Sequence, residues 1–334
     1  MAYKINSNTV IGGSNTSITG NFLSGVGLTV KNDNGEIHVQ DTSPMVGTVS
    51  GYAAGGNVPP VSNVIDKFPF AVDSNATDVG DLTLARSSIA GQSSTTHGYV
   101  SGGYVTTNTI DKFSFAVNSN ATDVGNLTQA RGSIAGHSSF ISGYVSGGQP
   151  PQNGLNTIDK FPFAADSNAT DVGDLTSSRL NIAGQSSTIS GYSSGGSSDA
   201  ASPPIFNTID KFSFSVDNNA SDVGDLTQAR RGGAGQSSTT HGYTSGGGPG
   251  GVNTIDKFPF SSDTNASDVG DLTQGRYVCS GQSSIASGYT AGGFFFPPSS
   301  ILNTIDKFPF STDSNATDVG DLTQAKSENA GQQD

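Results

Sequence analysis

Hydrophobic and polar residues alternate along this chain in short runs that stop at turn residues. One full unit reads from Ser87 to Arg131. Ser-Ser-Ile-Ala-Gly-Gln-Ser-Ser is small and β-compatible, and His97-Gly-Tyr-Val-Ser-Gly-Gly follows it. After a loop, Ile110, Lys112 and Ser114 alternate with Asp111, Phe113 and Phe115, the period-two signature of a strand. Asn118-Ser-Asn-Ala-Thr is a turn cluster, and Asp123-Val-Gly-Asn-Leu-Thr predicts a last short strand. Four short strands separated by turn signals predict one antiparallel sheet.

The unit recurs six times. Ile-Asp-Lys-Phe starts at Ile65, Ile110, Ile158, Ile209, Ile255 and Ile305, and each copy follows a Gly-Tyr-x-x-Gly-Gly phrase. Spacings of 45 to 51 residues between copies point to a propeller or a solenoid. Four-stranded sheets repeated radially are propeller blades, so the fold class expected is all-β, a six-bladed β-propeller. The pattern resembles the kelch repeat in Gly102-Gly103, Ile110-Asp111, Val124 to Leu127 and Ala130-Arg131. It departs from that family in having no Trp. A seven-bladed regulator-type propeller and a β-solenoid are the competing architectures.

The phase of the repeat predicts how the ring closes. The first unit begins at Gly51 with its second strand, and the last runs past Lys326 into Ala330-Gly331-Gln332, which matches Ala90-Gly91-Gln92. The C-terminus is therefore expected to supply the innermost strand of the first blade. Such a mixed blade leaves no free sheet edge, whereas a solenoid would need caps. Residues 1–47 stand apart from the propeller, 48–334. Gly27–Lys31 and Glu36–Gln40 flank Asn32-Asp-Asn-Gly, which predicts a β-hairpin. So short a segment buries little alone, and it is expected to pack on the propeller, on a partner or on copies of itself in a homo-oligomer. Its opening, Ala2 to Ile11, resembles the starts of structural and tail-associated proteins of marine bacteriophages.

Composition narrows the functional classes. Charged residues are 13% and the net charge is −13, which disfavours nucleic acid or an anionic membrane as a partner. Of 15 basic residues, 12 sit at two repeated positions, the Lys of Ile-Asp-Lys-Phe and the series Arg86, Arg131, Arg179, Arg230, Arg276 and Lys326. Repetition predicts structural ion pairs, each with an Asp of its own or the adjoining blade. Cys279 is the one cysteine, so no disulfide forms within the chain. The start is neither a signal peptide nor a lipidation site, and no apolar run approaches the ~20 residues of a membrane helix.

Blade-to-blade variation is confined to one class of loop. From each Ile-Asp to the next Gly-Tyr the spacing is 33 residues, while the connectors between Gly-Gly and Ile-Asp are 8, 6, 9, 12, 7 and 11 residues long. All six join second to third strands, so a propeller would gather them on one face. Variable loops on a rigid scaffold commonly carry binding, although unrestrained loops also drift. The residues singled out for binding are Tyr104, Gln149, Asp199, Phe206, Phe294, Phe295 and Phe296. The three Phe either project as an apolar patch or fold back onto the blade.

Chemistry is thinner. Asp73-Ser-Asn75-Ala-Thr-Asp78-Val-Gly-Asp81 resembles an oxygen-rich calcium loop, and it also comes near the sialidase Asp-box. Its spacing is not an EF-hand's, the second unit has Asn118 and Asn126 in place of Asp, and Asx residues cap turns without metal. No metal or cofactor is therefore expected. Glu36 and Glu328 are the only two Glu, which argues against the paired carboxylates of a glycosidase. A copper-radical oxidase would use a Cys–Tyr link and His ligands; Cys279 has Tyr277 nearby, but of the four His, His38, His97, His137 and His241, the pair His97 and His241 shares one repeat position and looks like tolerated turn residues. The expectation is a non-catalytic virion protein, tail or fibre associated, which joins other virion proteins through residues 1–47. It would bind host surface glycan or protein through the connector face. The alternatives are a purely architectural virion subunit and, in a third class, a polysaccharide-degrading enzyme.

Overall fold

Each repeat folds as a four-stranded antiparallel sheet, and six sheets close into a β-propeller. A computed structural model describes residues 47–104, 107–150, 154–198, 204–297 and 299–334 in full, together with the backbone of four earlier strands. Blade two shows the pattern: Ala90–Ser93 innermost, then His97–Ser101, Thr109–Ser114 and Thr122–Asn126 outermost. Blade one takes Ser50–Gly56, Ser62–Pro69 and Thr77–Asp81 from the start of the ring and Ala330–Gln333 from its end. Gly331 lies opposite Ala53 and Gln332 opposite Tyr52, the register expected from the repeat phase. The described residues contain no helix, hence none long and apolar enough to cross a membrane.

The chain divides into two compact units, Met1–Ser43 and Pro44–Asp334. In the first, Leu28–Asp33 pairs with Glu36–Asp41 as the expected hairpin. A second pair, Ala2–Ile5 with Asn8–Ile11, has no counterpart in the sequence reading.

The simple alternation read along Ile-Asp-Lys-Phe breaks at its centre. Ile110 and Asp111 are both fully buried although they are neighbours in one strand. The cause is a register shift between them: Ile110 faces Gly125 and Asp111 faces Asp123, so the outer strand bulges by one residue. The same shift recurs in every blade.

Packing between blades is aromatic. Tyr99 of blade two stacks on Phe163 of blade three at 4.8 Å and tilts against Phe161 at 5.5 Å. Equivalent trios occupy all six junctions. Aromatic pairs of this kind contribute about 0.5–1.5 kcal/mol each beyond their buried area.

Near the axis the contacts become polar and very close. An added Cβ at Gly184 would lie within 2.3 Å of Gly136 O, and Gly91, Gly136, Gly235, Gly281 and Gly331 are equally tight against the preceding blade. Glycine at this position is what lets six inner strands meet. One residue on, Gln236 donates Nε2 to Tyr289 O at 3.0 Å and Gln282 to Tyr52 O at 2.9 Å, linking each inner strand to the next blade. Blade three has His137 in this place, with Nδ1 3.2 Å from Gln185 O.

Candidate functional site

The repeated ions belong to the scaffold. Arg131 pairs with Asp159 of the following blade at 3.1 Å, both side chains fully buried. Asp159 also accepts the Thr128 amide at 2.9 Å and hydroxyl at 2.7 Å. Burial lowers Arg131 from its ordinary value, and the Asp159 charge opposes that shift. Matching pairs join Arg86 to Asp111, Arg179 to Asp210, Arg230 to Asp256 and Arg276 to Asp306. The basic ring is thus consumed inside the fold.

The oxygen-rich turns are latches. Asp73 Oδ1 takes Lys307 Nζ of blade six at 2.8 Å, and Asn75 Oδ1 accepts the Asp321 amide at 3.1 Å. Asp78 Oδ1 accepts the Gly80 amide at 3.1 Å, within its own strand. These oxygens serve protein donors, and among the described residues no three His, Cys, Asp or Glu groups are placed to share a metal ion. Cys279 is buried, and burial pushes its thiol up to about 11. His97 and His241 start second strands and bond to the hydroxyls of Thr96 and Thr240, away from Cys279 at the other end of the blades.

Antiparallel strands alternate direction, so the connectors and the links between blades share one face. The turns joining first to second and third to fourth strands share the other. Bridges tie five of the six connectors to the link beside them: Asn57 to Ser327, Gln149 to Gly132, Ser197 to Leu180, Gly248 to Arg231 and Phe294 to Tyr277.

The singled-out residues fall differently on this face. Tyr104 is 70% exposed, held by its amide to Ser87 O at 2.9 Å. Gln149 is half-buried and paired through its backbone to Gly132. Phe206 is half-buried and lies under the Arg179 guanidinium, 6.0 Å from the ring centroid. Phe294 and Phe295 form a short ladder with Ile301 and Ser300 and are half-buried, so they fold back rather than project. Phe296 alone of the three is exposed, at 52%. Asp199 lies outside the described residues.

Two features of this face went unread. Arg231 follows the repeated Arg230, where other units have Ser, Gly, Leu, Tyr or Ser, and no acid pairs with it among the described residues. Tyr277 packs its ring edge-on against Phe294 at 5.4 Å. The opposite face carries most of the exposed large apolar side chains, including Val49, Phe140, Ile141, Ile189 and Ile285.

The axis holds two small cavities, about 60 Å³ and about 90 Å³, which share the ring of glycines as a waist. Pockets for a drug-sized ligand run to roughly 300–1,000 Å³, so these admit only water-sized occupants. No protein-family model matches the chain, and no curated protein matches it either.

Proposed function

We propose that this chain is a non-catalytic binding protein of a phage particle, which contacts a host-surface glycan or protein through the connectors on one propeller face. The observation that carries the reading is where the variation lies. Arg, Asp, Asn and Gln at repeated positions are spent on holding neighbouring blades together. What differs from blade to blade is the connector, in length and in chemistry. A scaffold so constrained with loops so varied suits recognition. The phage part of the reading and the kelch-like label rest on resemblance in Ala2 to Ile11 and in the repeat.

A purely architectural subunit is the second reading. It is favoured by the exposed apolar side chains opposite the connectors, on the face where residues 47–49 join the ring and Gly47 bridges to Ser284. Binding of labelled protein to host cells separates the two. Tyr104→Ser combined with Phe296→Ser removes exposed aromatic surface from the connector face and leaves the blade contacts intact. Reduced cell binding at unchanged melting temperature supports recognition. Unchanged cell binding in that variant, with loss of incorporation into particles on Ile141→Asp and Ile189→Asp, supports the architectural role.

A further inference from the structure

The axis carries a ring of hydroxyls at its end opposite the connectors, and the scaffold uses them only in part. The inner strands finish on Ser93, Ser138, Ser186, Ser237 and Ser283, with Gln333 at the same place in blade one. Each of these side chains bonds to a neighbouring blade. Ser138 Oγ accepts the Ser93 amide at 2.9 Å, Ser186 Oγ the Ser138 amide at 3.0 Å and Ser237 Oγ the Ser186 amide at 2.9 Å. Ser283 Oγ accepts the Ser237 amide at 2.9 Å and Gln333 Oε1 the Ser283 amide at 3.3 Å. Ser93 Oγ closes the circle on the Gln333 amide at 3.0 Å.

These bonds fix each hydroxyl oxygen and leave its proton unused. A serine hydroxyl is one donor with two acceptor lone pairs. Here all five oxygens accept an amide, yet none of the five hydroxyls donates to a protein group among the described residues. Ser93, Ser138, Ser237 and Ser283 are at most 9% exposed, where a donor without an acceptor is costly. All six residues line the smaller axial cavity, of about 60 Å³. Ser186 and Gln333 are only half-buried, so solvent reaches the ring. Five unmatched donors thus border one small polar space.

We propose that this serine ring binds one monatomic anion, a halide such as chloride, on the propeller axis. The unused protons set the sign of the charge. A cation would sit on the hydroxyl oxygens and leave those protons without an acceptor, whereas an anion accepts them. A water molecule has two lone pairs to offer five donors, while a spherical anion accepts from every donor that reaches it. Hydrogen bonds to an ionised acceptor are also the stronger kind. The lining is Gly, Ser, Gln and His137, with no acid. Asp334 follows Gln333, but its carboxylate is taken by the Ser50 amide at 2.5 Å and the Tyr52 hydroxyl at 3.2 Å. The net charge of −13 opposes an anion from a distance, and physiological salt screens that repulsion beyond about 8 Å. The cavity exceeds the ~10–15 Å³ that a single water needs and is too small for a polyatomic organic anion. An ion held by five blades would add cohesion across the axis, where the bonds of the ring join neighbours only. The site is independent of what the connector face binds.

The test is thermal unfolding of the full chain as sodium gluconate is exchanged for sodium chloride or bromide at constant ionic strength. The melting temperature should rise by an equal step for each tenfold increase of halide above its dissociation constant, as for any ligand that binds only the folded state. Crystals grown in bromide should show an anomalous peak on the axis among the five hydroxyls. Ser138→Ala combined with Ser237→Ala removes two donors and also the acceptors of the Ser93 and Ser186 amides. That variant should melt lower at every salt, and its halide-dependent rise should begin at a roughly tenfold higher concentration or more, as expected for loss of charge-assisted bonds. An unchanged onset counts against the site, because a purely structural role moves the melting temperature and not the onset. If the double variant does not fold, the wild-type titration and the bromide peak decide. Equal melting in gluconate and halide overturns the proposal, as does water alone on the axis in bromide crystals. Stabilisation that follows the cation, when sodium is exchanged for tetramethylammonium at fixed chloride, overturns it too.

Discussion

Lys326 Nζ lies 3.0 Å from Asp66 Oδ2, joining the last link of the chain to the third strand of its first blade. The other five junctions use Arg at this place, and each of those carboxylates also accepts a Thr amide, as Asp111 does from Thr83 at 2.9 Å. At the seam Lys326 also donates to Ala53 O at 3.0 Å, and Thr323 gives its hydroxyl to Asp66. The ion pair and the strand Ala330–Gln333 together hold the ring shut. Removing one partner of a buried pair leaves an uncompensated charge, at a cost of about 3–5 kcal/mol. Lys326→Met should therefore lower stability by that amount in chemical denaturation, and truncation before Ala330 should lower it further by exposing the edge of Ser50–Gly56. A truncated protein that melts like the full chain would show that the seam contributes nothing.

His137 makes the propeller acid-sensitive. It replaces the Gln of the other five blades, and its ring sits edge-on to Phe212 at 5.0 Å with Nε2 2.9 Å from Ser146 Oγ. Burial lowers its pKa from 6.5 to about 4. The folded state keeps the ring neutral while the unfolded chain takes up a proton below pH 6.5. Stability is thus complete above 6.5 and declines as pH falls toward 4, by about 1.4 kcal/mol per pH unit and about 3 kcal/mol in all. His137→Gln should flatten that dependence, because the amide does not titrate. Parallel slopes for the two proteins between pH 4 and 6.5 would contradict the assignment.

Chelation should leave the melting temperature unchanged, and calcium should not raise it. An ion that binds only the folded state stabilises in proportion to the logarithm of its concentration. The oxygens that would have to bind it are already engaged: Asp73 with Lys307, Asn75 with the Asp321 amide and Asp78 with the Gly80 amide. A dose-dependent rise with calcium would mean that the ion displaces these donors.

The repeat made the blades, the mixed first blade and the Arg–Asp pairs legible, because each is stated six times over. Local departures were harder. Asp111 reads as a simple alternating residue, and nothing local marks the bulge that buries it beside Ile110. Phe294 looks like part of an exposed run, yet its fate depends on Tyr277, which arrives from the preceding link. The axial role of Gly91 and its counterparts depends on six strands converging, a long-range fact invisible in Ala-Gly-Gln-Ser. Arg231 did leave a signal, the Arg230-Arg231 doublet, which the repeated neighbour masked.

The outer rim offers a graded comparison with the buried seam. Lys112 pairs with Asp166 at 2.5 Å, Lys160 with Asp217 at 2.9 Å and Lys307 with Asp73 at 2.8 Å, and two further junctions match. Between blades one and two the Asp is replaced by Asn118, and Lys67 keeps only the Tyr52 ring, 5.3 Å from its centroid, where Lys160, Lys211 and Lys307 have both an Asp and a Tyr ring at 5.8 to 6.0 Å. Asn118→Asp should supply the missing sixth partner. The gain should be small, because the acid in each existing pair is more than half exposed, and pairs in that setting contribute about 0.2–1 kcal/mol. It should also vanish in molar salt, where the screening length falls to about 3 Å. A gain of more than about 2 kcal/mol, or one that survives 1 M salt, would mean that the rim pairs are shielded from solvent.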